Sequence, residues 1–342
     1  FLVGDCRECE ITCKGAEQFM GAVNTEKQGI ISIGYDEIAS IDYFGTLKKG
    51  WYLEDHTINE AIEYIWKNYR AIDEKLNCLD GELRKRATRF GEDYYDILVA
   101  SLRQSIAGHK LIKGQNGETI FLSKENGSNG CIGTVDVSYP SMPLYLLYNT
   151  ELVKGMMRPV LKFAQMPVWS YDFAPHDVGT YPVCCGQVYG LNRNASHYHA
   201  TYAKNDFLQN HLPLYLFPAE FEAYDFNRQM PVEECANMLI MFAACYHYDK
   251  DIEFFKDYGA LGEKWVKYLV AYGLKPENQL CTDDFAGHLK NNINLAIKAT
   301  VGIACYAMLK KADGDKKSYE EFRGIAENFA TEILAFGNQF SH

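Results

Sequence analysis

Basic side chains are in short supply: 34 Lys and Arg face 45 Asp and Glu, giving a formal net charge of -11 and a pI near 5.4. A chain of that sign offers no broad cationic surface to a phosphate backbone, so nucleic acid is not expected as a partner. Also missing is an uninterrupted apolar run near the roughly 18 to 20 residues of a membrane-spanning helix, and no basic-apolar-small leader pattern is visible at Phe1, so no membrane is expected either. The compact catalytic motifs are absent as well: no Walker-type Gly-Lys pair, G-x-G-x-x-G, H-E-x-x-H, G-x-S-x-G or S-x-x-K. That removes the usual nucleotide cradles, zincin chemistry, nucleophile elbows and beta-lactamase-type serines. Cys6, Cys9 and Cys13 have no second Cys/His pair at zinc spacing, and the acidic loops lack EF-hand spacing. No metal or other cofactor is called for.

What is present is an ordinary globular composition, with 47% hydrophobic and 23% charged residues over 342 positions, enough for one large domain or two smaller ones. Aromatics are the outlier at 14%, with 24 Tyr and 19 Phe. They suit the walls of a small-molecule pocket, and equally the filling of a core. Eleven cysteines, an odd number scattered along the chain, argue against a disulfide framework and favour a reducing compartment, so the cytoplasm is expected. By the same argument Asn126-Gly127-Ser128 and Asn194-Ala195-Ser196 are chance matches to the glycosylation pattern.

Residues 1 to about 50 are turn-rich with short alternating stretches such as Ile30, Ser32, Ile33 and Tyr35, and read as the trailing edge of an upstream β-rich domain or a linker. From Thr57 the period changes. Thr57 and Glu60 form a capping-box pattern, and Ile58, Ile62, Ile65, Tyr69, Ile72, Leu76 and Leu83 recur at helical spacing to about Arg89. A second helix is expected from Glu92 to Leu111, and the short Phe90-Gly91 joint implies an antiparallel pair. A hairpin about Ile120 to Ser123 lies in an otherwise irregular stretch from Lys113 to Pro143. Further helices are expected over 151–163, 233–248, 252–272, 289–311 and 318–335, the last opened by a Ser318/Glu321 capping box. Between them, 167–228 has little helical periodicity, and an irregular stretch that long is a first place to look for function.

Antiparallel helix pairs with elaborate loops describe an all-α helical-hairpin array or toroid over 51–342. The loops are rich in carboxylates, and several open a predicted helix, where helix N-termini favour negative charge. Glu233, Glu234, Asp283 and Asp284 could serve there merely as helix caps or dipole partners, and His176 as a hydrogen-bonded structural histidine.

These loops also carry a resemblance. FAPHDVGTYP (173–182), MPVEECANMLI (230–240), CTDDFAGHLKNNINLAIKA (281–299) and SKENGSNGCIGTVDVSYPSMPLYLLYN (123–149) resemble the signature stretches of the glutaminase A family, in its C-terminal six-hairpin helical domain. The likeness runs from about Ile30 to Ala335. It implies an (α/α)6 six-hairpin toroid, preceded in full-length members by a β-rich domain of the same protein. Leu191 to Asn227 reads as an insertion relative to that pattern, Cys235-Ala236 departs from it modestly, and the family's final segment is not seen.

The activity implied is hydrolysis of the glutamine side-chain amide, with a small-molecule substrate and no cofactor. With no activated Ser or Thr in view, residue type and loop position suggest direct attack by water: Asp177 or Asp284 as base, Glu234 as the acid that protonates departing ammonia, and His176 or His288 steadying the oxyanion. Glu125, Asp136, Trp169, Tyr181, Glu233, Asp283, His288 and Asn291 are the candidates for holding substrate. Two other readings use the same residues: a glycoside hydrolase with paired carboxylates, and a ligand-binding toroid without chemistry.

Overall fold

The computed structural model describes residues 2–4, 9–14, 19–24, 31–34, 36–125, 127, 129–196, 212–282 and 286–339. Two compact units divide the chain, one of residues 1–38 with 49–100, the other of 39–48 with 101–342.

In the first unit, strands β1 (Leu2–Gly4), β2 (Cys9–Lys14), β3 (Phe19–Asn24) and β4 (Ile31–Ile33) pair antiparallel, β1 with β4 and β2 with β3. Helix α1 (Ile58–Ala87) starts where the capping box places it. The Glu60 amide donates to Thr57 Oγ1 at 3.2 Å and the Thr57 amide to Glu60 Oε2 at 2.7 Å, satisfying two amides that have no partner inside the helix. Its apolar spacing is helical, yet of its residues just Ile62 and Ala87 are buried. A single 3-10 turn and Gly91, at φ +116°, reverse the chain into α2 (Glu92–Ala107). Tyr95 of α2 then meets Asp80 and lies under the Arg84 guanidinium, 4.0 Å from the ring centre, which fixes the two helices as a hairpin.

In the second unit, β5 (Ile41–Tyr43) and β6 (Thr46–Lys48) form a hairpin, as do β7 (His109–Lys113) and β8 (Thr119–Ser123), and β9 (Val183–Cys184) adds to β5 in parallel. The rest is helical: α3 (Val135–Tyr148), α4 (Thr150–Phe163), α5 (Pro231–Asp249), the single turn α6 (Glu253–Lys256), α7 (Gly259–Tyr272), α8 (Ile293–Ala312) and α9 (Lys316–Gln339). The pairs α3/α4, α5/α7 and α8/α9 pack together, α5 also packs on α3, α4 and α8, and α4 covers β8. The fold class is all-α, with short strands confined mainly to the N-terminal part. Helix α8 is long and apolar enough to cross a membrane by length and composition, and here it is packed against α5, α7 and α9.

Three local differences from the sequence expectation have physical causes. Helix α3 occupies part of the stretch read as irregular. Pro140 and Pro143 lie inside it and withhold two amides, the usual signature of a break, but burial of Val135, Ser138, Met142, Tyr145 and Leu146 holds it. Helix α2 stops at Ala107, because the Lys110–Ile112 segment pairs with β8 instead. Finally, α9 opens before Ser318: Asp315 accepts from the Ser318 amide at 3.1 Å, so aspartate supplies the cap.

Candidate active site

The segment around His176 is built on one carboxylate. Asp177 Oδ1 accepts from the amides of Gly179 at 3.0 Å and Val188 at 2.9 Å, and Oδ2 from the amide of Tyr189 at 3.1 Å and from His176 Nδ1 at 3.0 Å. Glycine is required at 179, where φ is +147° and an added Cβ would stand 2.1 Å from the Val183 carbonyl. The His176 amide donates to Gln187 Oε1 at 2.6 Å, and its carbonyl accepts from the Val135 amide at 2.8 Å. The start of α3 is thereby docked beside the imidazole, which stacks on Tyr189 with ring centres 4.3 Å apart.

This docking brings Asp136, in the first turn of α3, opposite the other ring nitrogen: His176 Nε2 to Asp136 Oδ1 is 3.7 Å. Glu234, on α5, completes the group. One ligating atom each from Asp136, His176 and Glu234 lie within 4.8 Å of one another. Glu234 is 1% exposed; Oε2 accepts from Asn237 Nδ2 at 3.1 Å, and Oε1 has no hydrogen-bond partner among the described residues.

The crowding shows in the titration of the three groups. Burial works against charge on His176, but the nearby Asp136 carboxylate and the hydrogen bond to Asp177 outweigh it and raise its pKa well above the ordinary value. Burial likewise raises Asp136, yet its contacts with His176, Lys298 and Thr282 win and hold it below the usual carboxylate range. For Glu234 burial and the nearby Asp136 charge act together, and its pKa is pushed well up.

Above the group lies a cavity of about 690 Å³ whose lining includes Glu125, Asp136, His176, Tyr189, Arg228 and Thr282. Glu233 does not share this point. Its Oε2 accepts from the Thr282 amide at 2.6 Å, and Oε1 from the Thr282 hydroxyl at 2.8 Å and Lys298 Nζ at 2.5 Å. It clasps the loop that carries Thr282 to the cavity.

Of the residues singled out from the sequence, Asp136, His176, Asp177 and Glu234 converge, with Glu125 on the cavity wall. Trp169 does not reach the cavity: it is buried in an aromatic cluster with Phe163, Phe173 and Tyr224, its indole N–H donating to the Phe173 carbonyl at 2.8 Å. The half-buried Tyr181 ring lies 5.2 Å from the Lys124 ammonium. His288 and Asn291 are exposed, the first with Nε2 on the Asn227 carbonyl, the second on a turn at φ +56°. Asp283 and Asp284 lie outside the described residues, as do the side chains of Cys6, Cys9 and Cys13. Sequence reasoning missed Tyr189, Arg228, Thr282 and Lys298. Thr282 and Lys298 stand inside the quoted stretch 281–299, where the carboxylates drew the attention, and Arg228 just before MPVEE; Tyr189 carried no local signal.

The family described as "Glutaminase A six helical-hairpin domain" matches residues 91–342. This chain is a member of that family. It is similar to "Glutaminase A" of Aspergillus oryzae, 29% identical over 326 residues that make up 93% of this chain and 42% of that protein. It is also similar to "Probable glutaminase" of Arthroderma benhamiae, 25% identical over 303 residues, 72% of this chain and 31% of that protein. The chain therefore spans less than half the length of either relative.

Proposed function

We propose that this chain hydrolyses the side-chain amide of glutamine to glutamate and ammonia in the cavity lined by Asp136 and His176, with the buried Glu234 beside them. The observation that carries the reading is the convergence of two carboxylates and one imidazole, from three distant segments, within 4.8 Å of one another, with Asp136 and His176 on the cavity wall. The glutaminase names of both relatives supply the substrate class. A cavity of about 690 Å³ is of the size that holds a small molecule, and its wall offers Arg228 for a carboxylate and Glu125 for an ammonium.

Water at the shared point forms the new bond to the amide carbon, the C–N bond breaks, and nitrogen leaves as ammonia. One water proton passes through a carboxylate of the pair to that nitrogen, so atoms balance without a co-reactant. The carboxylate facing the cavity is Asp136. Asp177, with both oxygens engaged by backbone amides and His176, orients the imidazole instead of meeting water. His176 is placed to steady the oxyanion.

The test is ammonia release from glutamine by purified protein, run beside a panel of nitrophenyl glycosides and repeated with Glu234→Gln and Asp136→Asn. Either substitution is expected to lower the rate at least about a hundredfold, the usual contribution of a proton-transferring group. Activity within about threefold of wild type in both folded variants overturns the assignment. One observation favours the glycosidase reading: ligating oxygens of Asp136 and Glu234 lie within 4.8 Å, nearer to the about 5 to 5.5 Å of retaining enzymes than to the wider inverting separation. Cleavage of a glycoside with silence on glutamine would select it.

A further inference from the structure

We propose that Asp136, His176 and Glu234 together bind one divalent transition-metal ion of zinc type, with a fourth position open to the cavity. The inference deepens the hydrolytic reading and depends on it for what the ion does, not for whether the ion binds.

Four observations carry it. The Nε2 to Oδ1 separation of 3.7 Å between His176 and Asp136 exceeds hydrogen-bond reach. Tetrahedral ligands at about 2.0 to 2.2 Å from zinc stand about 3.3 to 3.6 Å apart, so an ion bridging His176 and Asp136 needs only a small side-chain adjustment, and Glu234, within 4.8 Å, is drawn in toward it. Secondly, His176 is held as metal-binding histidines are: Nδ1 faces Asp177, and that carboxylate is itself locked by the amides of Gly179, Val188 and Tyr189. This leaves Nε2 presented to the group. Thirdly, Glu234 is 1% exposed and its Oε1 has no partner among the described residues, an unmet acceptor that a cation would satisfy. Lastly, imidazole nitrogen and carboxylate oxygen are both ligands that zinc takes, and the imidazole favours an ion of that type over magnesium and calcium, which prefer oxygen alone.

A second group, Cys131, His176 and Asp177, shares the imidazole. It fits less well, because both Asp177 oxygens already accept backbone amides. An ion at the first group would act as a Lewis acid on its bound water, lowering the water's pKa so that hydroxide attacks the amide carbon. The proton goes to a free carboxylate oxygen and then to the leaving nitrogen.

The experiment titrates the chelator-stripped full chain with Zn²⁺ by calorimetry, and with Co²⁺ by visible absorption. One Zn²⁺ per chain with submicromolar affinity is expected, weakened at least about tenfold in Asp136→Asn and Glu234→Gln, together with tetrahedral Co²⁺ bands lacking thiolate charge transfer. No stoichiometric binding, affinity unchanged in both variants, or a thiolate band with the first Co²⁺ equivalent overturns the proposal. Should a variant fail to fold, the wild-type Co²⁺ spectrum decides. Ammonia release by protein that binds no zinc sinks the metal and keeps the hydrolysis; zinc binding at the site without ammonia release keeps the metal and sinks the glutamine reading.

Discussion

Arg228 presents its guanidinium on the cavity wall, oriented by a hydrogen bond from Nη1 to the Leu191 carbonyl at 3.1 Å, and it makes no ion pair among the described residues. A guanidinium steadied in this way suits the carboxylate of an amino-acid substrate. Loss of a hydrogen bond to a charged group is worth about 1.5 to 3 kcal/mol. Arg228→Gln is thus expected to raise KM for glutamine by about 10- to 100-fold with kcat little changed, read in steady-state ammonia release; an unchanged KM would remove Arg228 from substrate binding. The neighbouring glutamates show how differently two identical side chains can be used. Glu233 is fully engaged by Thr282 and Lys298, while Glu234 keeps a buried oxygen without a donor among the described residues. Nothing in the pair's sequence distinguishes them; the side of α5 each leaves from does.

Among the elements, α8 approaches α5 as closely as it does because Gly302 has no Cβ. An added one would stand 3.0 Å from Ala236 Cα and 3.0 Å from Leu269 Cδ1, and the former is backbone that cannot step aside. Gly302→Ala would gain about 1 kcal/mol of helix propensity but lose about 1 to 3 kcal/mol to overpacking. A net loss of up to about 2 kcal/mol is expected, measured by urea unfolding; a stabilised variant would show that the helices can move apart freely.

On β7, His109 stacks on Phe121 with ring centres 4.5 Å apart and takes Nδ1 to the Ser105 carbonyl at 2.6 Å. Burial lowers its pKa, the Ser105 contact opposing and Lys124 adding to the shift. The folded value lies below the unfolded value of about 6.5, so the unfolded chain binds more protons. The associated stability is present above that pH and lost as pH falls through the folded value. His109→Phe keeps the stacked ring without the titration. Its stability relative to wild type should therefore rise as pH drops from about 8 to 5, in paired urea titrations. A constant difference would mean that His109 titrates alike in both states.

For the whole molecule, the two compact units differ in how much apolar surface each helix hides. Helix α1 buries Ile62 and Ala87, whereas α5 is buried along an almost unbroken run from Pro231 to Leu239. Amides of α1 are expected to exchange with solvent through openings of much lower free energy than those of α5, in native-state hydrogen exchange under mild denaturant. Equal protection in the two helices would refute this.

The sequence by itself determined the helices and the family. Periodicity, the Thr57–Glu60 capping box and the four motif stretches are local properties of consecutive residues, and they placed α1, α4, α5 and α8 to within a few residues while reading α6 and α7 as one helix over 252–272. It missed α3, whose two prolines argue locally for a break that burial overrides. The site was legible as a set of segments but not as roles. Asp177 and Asp136 look alike in a list of acidic loop residues. Only the fold turns three backbone amides onto the first and leaves the second facing the cavity beside His176 and Glu234. It likewise sent Trp169 into the core and brought Arg228 and Thr282 to the wall. The physical reason is that a helix is specified by neighbours three and four positions away, whereas the charge state and free lone pairs of a buried carboxylate are set by donors from segments far off in the chain, which meet only when the helices pack.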